Sequence, residues 1–248
     1  MRPGRVPADD SGMTFTLIDQ PVAQSTGRDF EGADQRVLLR GGLFAAVPYL
    51  AGIAFAIWFL NTTHPAFDAT PLEAAVGFRD NAANIAIGTV LFLLPYPFVL
   101  MFLGGLTSLV RRSGAALSTT ALAAGLVDVA LFVSATMVSS ITSTVGALDA
   151  SAATGAVIKA LDGVLPVTIA AAGLARAVLL GAFAVLLRRS GLAGRVLRGF
   201  TWTVAALGVV GVGTVFTAAL FPITELAMIL SWVWMAILGA RLPGRINR

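Results

Sequence analysis

The chain has 248 residues, 57% of them hydrophobic and 12% charged, with a mean hydropathy of +0.86 and a net charge of +4. Soluble domains carry about 25% charged residues, so the composition excludes an ordinary soluble fold and points to apolar helices in lipid. Cysteine is absent and His64 is the one histidine, which excludes disulfides, cysteine nucleophiles and multi-histidine metal centres; nothing in the chain asks for a metal or a cofactor.

Residues 1–35 are polar, with Pro3, Pro7 and Pro21 and no sustained apolar period, and read as a disordered cytoplasmic tail. No apolar core of a cleaved export signal follows the early arginines. A first span is expected from Gly41 to Leu60, because twenty helical residues cover about 30 Å, one hydrocarbon core. A polar connection from Asn61 to Asn84 follows, holding His64, Asp68 and the Arg79-Asp80 pair. The second span covers Ile85–Val110 and the third Ala115–Ser140. A small-residue connection, Ile141–Asp162, leads to a fourth span over Gly163–Leu187. The stretch Phe200–Ala240 is too long for one helix, and Phe221-Pro222 divides it into a fifth and a sixth span, since proline suits a helix start and not its interior. The expected fold is therefore all-α: a polytopic bundle of six transmembrane helices over 36–242, with a short basic tail at 243–248.

The arginines orient this bundle. Arg36 and Arg40 precede the first span, Arg111 and Arg112 join the second to the third, and Arg188, Arg189, Arg195 and Arg198 join the fourth to the fifth. Arg241, Arg245 and Arg248 close the chain, whereas the alternate connections carry only Arg79 and Lys159. This is the positive-inside alternation and predicts both termini in the cytoplasm (N-in/C-in) of an inner-membrane protein. It also accounts for a pI near 10.6 without nucleic acid as a partner. The lipid bilayer is the partner implied, with a small-molecule or lipid ligand and self-association left open.

One internal echo stands out: Leu109-Val110-Arg111-Arg112-Ser113-Gly114 recurs as Leu186-Leu187-Arg188-Arg189-Ser190-Gly191. It reads either as a duplicated hairpin or as two spans that each need orienting arginines and a turn.

Three groups of residues draw attention. Asp128 and Arg176 are opposite charges near mid-depth of consecutive spans, where a charge costs about 2.5–3.5 kcal/mol, so they are expected to form an intramembrane ion pair. Small residues beside them (Gly125, Ala172, Gly173) allow the backbones to approach. The pair reads either as a gating switch or as a permanent clasp. Pro95, Tyr96 and Pro97 interrupt the second span and deprive the carbonyls of Leu91 and Leu93 of their amide donors, predicting a kink and a candidate cavity beside Tyr96. Arg79, Asp80, Asn84 and Glu225, the last placed in the first turn of the sixth helix, form a candidate outer vestibule. Glu225 alone would also suit the helix dipole there. Trp202, Trp232 and Trp234 are read as belt or packing residues.

The run Glu73–Phe92, the Arg189-Ser190-Gly191 turn and the segment Glu225–Gly239 resemble a widespread bacterial multi-pass membrane family, a domain of unknown function. The resemblance covers about Arg36 to Leu242 and departs in the arginine-rich fourth-to-fifth connection and the polar tail. It implies a fold and a membrane location without an activity. The leading functional reading is a small transporter or channel-like protein. Its alternative is a non-catalytic membrane scaffold or accessory subunit, and a lipid-acting enzyme comes third because convergent catalytic residues are missing.

Overall fold

The structure, a computed structural model, describes residues 24–62 and 69–246. Among them the chain is helical with no strand, and six helical stretches are long and apolar enough to cross a membrane. The α-helices are α1 (Gln24–Thr62), α2 (Pro71–Asp80), α3 (Ala82–Leu93), α4 (Tyr96–Val110), α5 (Ala115–Leu148), α6 (Ala152–Arg189), α7 (Arg195–Gly211) and α8 (Phe221–Arg241). One span is made of α3 and α4 together.

The spans close into a circle. α1 packs on α8, α8 on α7, α7 on α6, α6 on α5, α5 on α3 and α4, and these on α1. Hydrophobic side chains point both ways, as lipid as a solvent permits: Phe102, Phe183 and Trp234 are sealed inside, while Phe44, Val47 and Val90 face outward. Glycine sets the tightest seam. A Cβ on Gly42 of α1 would lie 2.6 Å from the Met235 carbonyl of α8, and one on Gly239 would lie 2.6 Å from the Leu43 nitrogen. The first and last helices therefore touch backbone to backbone.

Several boundaries differ from the sequence reading. α1 is already under way at Gln24, inside the segment assigned to the tail, and Arg36 donates to the Gly32 carbonyl within it. The expected connection Ile141–Asp162 is mostly helix, since only Asp149–Ser151 separates α5 from α6. Two causes sustain it. The Ser151 hydroxyl accepts from the Thr154 amide and caps α6, and the two helices pack along each other throughout. At 34 and 38 residues they are about 51 and 57 Å long, so they project beyond a 30 Å core.

α2 occupies that projecting region. It starts with a capping box in which Glu73 accepts from the Thr70 backbone and hydroxyl while Thr70 accepts from the Glu73 amide. Its apolar face, Ala75 and Phe78, packs with Ile85 and Ile158 in a small core of its own. Lys159 of α6 donates to the Ala69 carbonyl just before α2. A ten-residue helix with charged Glu73, Arg79 and Asp80 has too little hydropathy to register in a span-length window, so the sequence shows only a polar connection there.

The basic connections gather at the opposite end. The Gln35 amide donates to Ser108, Arg189 reaches Gly114, and Arg245 donates to the Leu192 carbonyl, so the start of the basic tail is docked. The two copies of the Arg-Arg-Ser-Gly echo differ in conformation. Gly191 adopts a left-handed φ of 70°, whereas Gly114 is extended at φ 162°. Different turns under the same Arg-Arg-Ser-Gly run favour similar requirements over a copied hairpin.

Candidate functional site

The centre of the circle is polar. Arg176 of α6, 8% exposed, donates from Nε to Asp128 Oδ2 at 3.0 Å and from a terminal nitrogen to Oδ1 at 2.8 Å. This is the bidentate fork in which a guanidinium and a carboxylate satisfy each other best. Gly125, one turn before Asp128, lets Leu103 of α4 and Leu179 of α6 press against α5, and that close approach puts the two charges in reach.

Aromatic side chains from four helices wall the pair. The Arg176 guanidinium carbon lies 5.9 Å from the ring centre of Phe132, within cation–π range. Tyr49 of α1 meets Phe132 at 6.2 Å and stacks on Trp232 of α8, while Tyr96 of α4 meets Phe132 at 6.0 Å and Trp232 at 6.3 Å. A cavity of about 20 Å³ lies here, bordered by Tyr96, Asp128, Arg176, Ser231 and Trp232. A water needs about 10–15 Å³ by this measure, so the space admits about one. Ser231 donates to the Met228 carbonyl, whereas the buried Tyr96 hydroxyl has no hydrogen-bond partner among the described residues.

Pro95 is buried and Pro97 exposed, and they flank Tyr96 at the junction of α3 and α4. The break is in hydrogen bonding more than in direction. Leu94 and Pro95 keep right-handed helical torsions of −54°/−34° and −66°/−28°, and Leu94 and Val99 still donate to Val90 and Pro95. The cavity borders Tyr96 but neither Asn84 nor Glu225.

The outer vestibule does not assemble. Arg79 and Asp80 pair with each other at 3.1 Å on the exposed face of α2. Glu225 lies in the second turn of α8 instead of the first, and no hydrogen bond or ion pair among the described residues joins it to Arg79, Asp80 or Asn84. The reason is the order of the circle: α8 neighbours α1 and α7, while α2 rests on α5 and α6. His64 and Asp68 lie outside the described residues. Among those described, no three His, Cys, Asp or Glu side chains gather to hold a metal.

The sequence reading missed the aromatic wall. Trp232 and Trp234 are 3% and 1% exposed, and Trp234 donates to the Thr201 hydroxyl at 2.8 Å, so of the belt and packing readings the packing one holds for both; what the chain did not show is which rings they meet. The available signal was position: a tryptophan mid-helix, away from the headgroups where its ring is usually anchored. Tyr49 beside Pro48 in α1 carried the same signal.

No family model, curated protein or solved structure matches this chain.

Proposed function

We propose that this chain is a non-catalytic multi-pass membrane protein, a scaffold or accessory subunit, whose helices are held at mid-depth by the Asp128–Arg176 clasp. The observation that carries this reading is how closely the pair is engaged, with side chains only 10% and 14% exposed. Its fork is fully engaged, aromatic rings wall it, and the residual space admits about one water. A transport pathway needs polar groups leading from the centre to a face, and the cavity's border holds none beyond Ser231, Tyr96 and the pair. The basic end, with both termini, is assigned to the cytoplasm of an inner membrane on the arginine alternation.

A second reading, transport, draws on one observation: the Tyr96 hydroxyl borders the cavity with no hydrogen-bond partner among the described residues, as a ligand-binding group would in an occluded state. One experiment separates the two. The native chain lacks cysteine, so Ser231→Cys can be challenged with a small charged thiol reagent from either side of oriented vesicles. The clasp predicts no labelling from either side until the protein is denatured. Labelling from one or both sides of the folded protein overturns it in favour of a pathway.

A further inference from the structure

At the basic end, far along α6 from the clasp, a second concavity opens between α6 and α7. It measures about 360 Å³ and is bordered by Ala184, Val185, Arg188, Arg195, Arg198 and Trp202. Three guanidiniums share its mouth, no carboxylate borders it, and none of the three has a hydrogen bond or ion pair among the described residues. Elsewhere at this end Arg36 and Arg245 are spent on carbonyls.

The placement is built by both helices. Arg188 lies in the last turn of α6 and Arg195 opens α7, with Arg198 and Trp202 following at spacings of three and four on the same face. The Trp202 ring lies across Gly181, where the missing side chain leaves α6 bare: a Cβ there would sit 3.7 Å from the ring. Half of Trp202 stays exposed, at 52%. Along the axis, Ala184 is about 6 Å from Arg188 and Trp202 about 10 Å from Arg195. The concavity therefore runs from a cationic mouth inward along an apolar wall.

We infer that this concavity binds an anionic phospholipid, its phosphate held by Arg188, Arg195 and Arg198 and its acyl chain laid along Trp202, Val185 and Ala184. Guanidinium forks match paired phosphate oxygens. A tryptophan at the headgroup boundary offers a face to the glycerol and upper chain. Basic pockets between spans on the cytoplasmic side are where such headgroups are recognised. Orienting the chain requires arginines in number but not around one concavity, and free phosphate would leave the apolar wall uncovered.

The test is native mass spectrometry of the full chain in detergent, titrated with phosphatidylglycerol, with phosphatidylcholine, and with inorganic phosphate as competitor. Phosphatidylglycerol should be retained over phosphatidylcholine. Arg195→Gln with Arg198→Gln should weaken retention about thirtyfold, at about 1 kcal/mol per arginine, while Arg111→Gln with Arg112→Gln, the same loss of charge elsewhere, should leave it unchanged. Arg198→Lys keeps the charge and the membrane orientation but loses the fork, and should weaken retention about twofold. Equal retention of the two lipids, equal loss in both double variants, or no change in Arg198→Lys would overturn the site. Complete displacement by inorganic phosphate would overturn its assignment to a lipid.

Discussion

Tyr49 of α1 and Trp232 of α8 lie face to face, their ring centres 3.9 Å apart and their planes 15° from parallel. The stack fastens the first span to the last beside the ion pair, at the seam where Gly42 and Gly239 bring the two backbones together. Aromatic pairs contribute about 0.5–1.5 kcal/mol beyond their packing, and this one also walls the charges from lipid. Trp232→Ala should therefore cost about 3 kcal/mol or more through the void it leaves. Tyr96→Phe keeps the neighbouring ring and removes a buried hydroxyl that has no hydrogen-bond partner among the described residues, so thermal unfolding in detergent should show it equal to or more stable than wild type. A clear loss of stability in Tyr96→Phe would mean that the hydroxyl has a partner.

The ion pair predicts strong non-additivity. Removing one member of a buried pair leaves the other uncompensated, at about 3–5 kcal/mol. Asp128→Asn and Arg176→Gln should each lower the unfolding temperature more than the double variant does. Losses that simply add would show that the two side chains do not depend on each other.

α2 should be the most easily detached helix, because it has ten residues and packs in a small cluster of its own, apart from the main core. Gly155 of α6 lies directly under the Pro71 backbone, with no room for a Cβ. Gly155→Val should lift α2 and speed tryptic cleavage after the exposed Arg79, while leaving the spans folded. Unchanged cleavage would place α2's attachment elsewhere.

The capping box carries a pH dependence. The Thr70 amide and hydroxyl hold the Glu73 carboxyl below the usual carboxylate range. A lowered folded pKa means the contribution is present above the unfolded value and is lost as pH falls through the folded one. Hydrogen-exchange protection of α2 should thus exceed that of Glu73→Ala at neutral pH and converge with it in acid. A difference that persists in acid would assign the protection to something other than the ionised carboxylate.

Orientation is open to direct labelling. With no native cysteine, Ser151→Cys and Thr70→Cys at the α2 end should react with an impermeant reagent on whole cells, and Ser113→Cys and Ser190→Cys should not. Labelling at 113 or 190 from outside would invert the assignment.

How much of this was legible in the chain divides along a physical line. Hydropathy alone determined six spans, because lipid tolerates a spanning backbone only when its hydrogen bonds are made within the segment. The two charges at positions 128 and 176 announced each other, since an isolated one at that depth is too costly to keep. Element ends were not legible: α5 and α6 run through a stretch of Ser, Thr, Ala and Gly whose helicity comes from packing against each other and α2, and α2 is too short and polar to show a span's signal. Nor was it legible which helices neighbour which. Periodicity reports the apolar face of a helix but not the partner that covers it, so Glu225 could be imagined beside Asn84, and Tyr49, Phe132 and Trp232 could not be seen converging. The circle of helices decided both, by placing α1 against α8 at bare glycines and closing aromatic residues from distant segments over one ion pair.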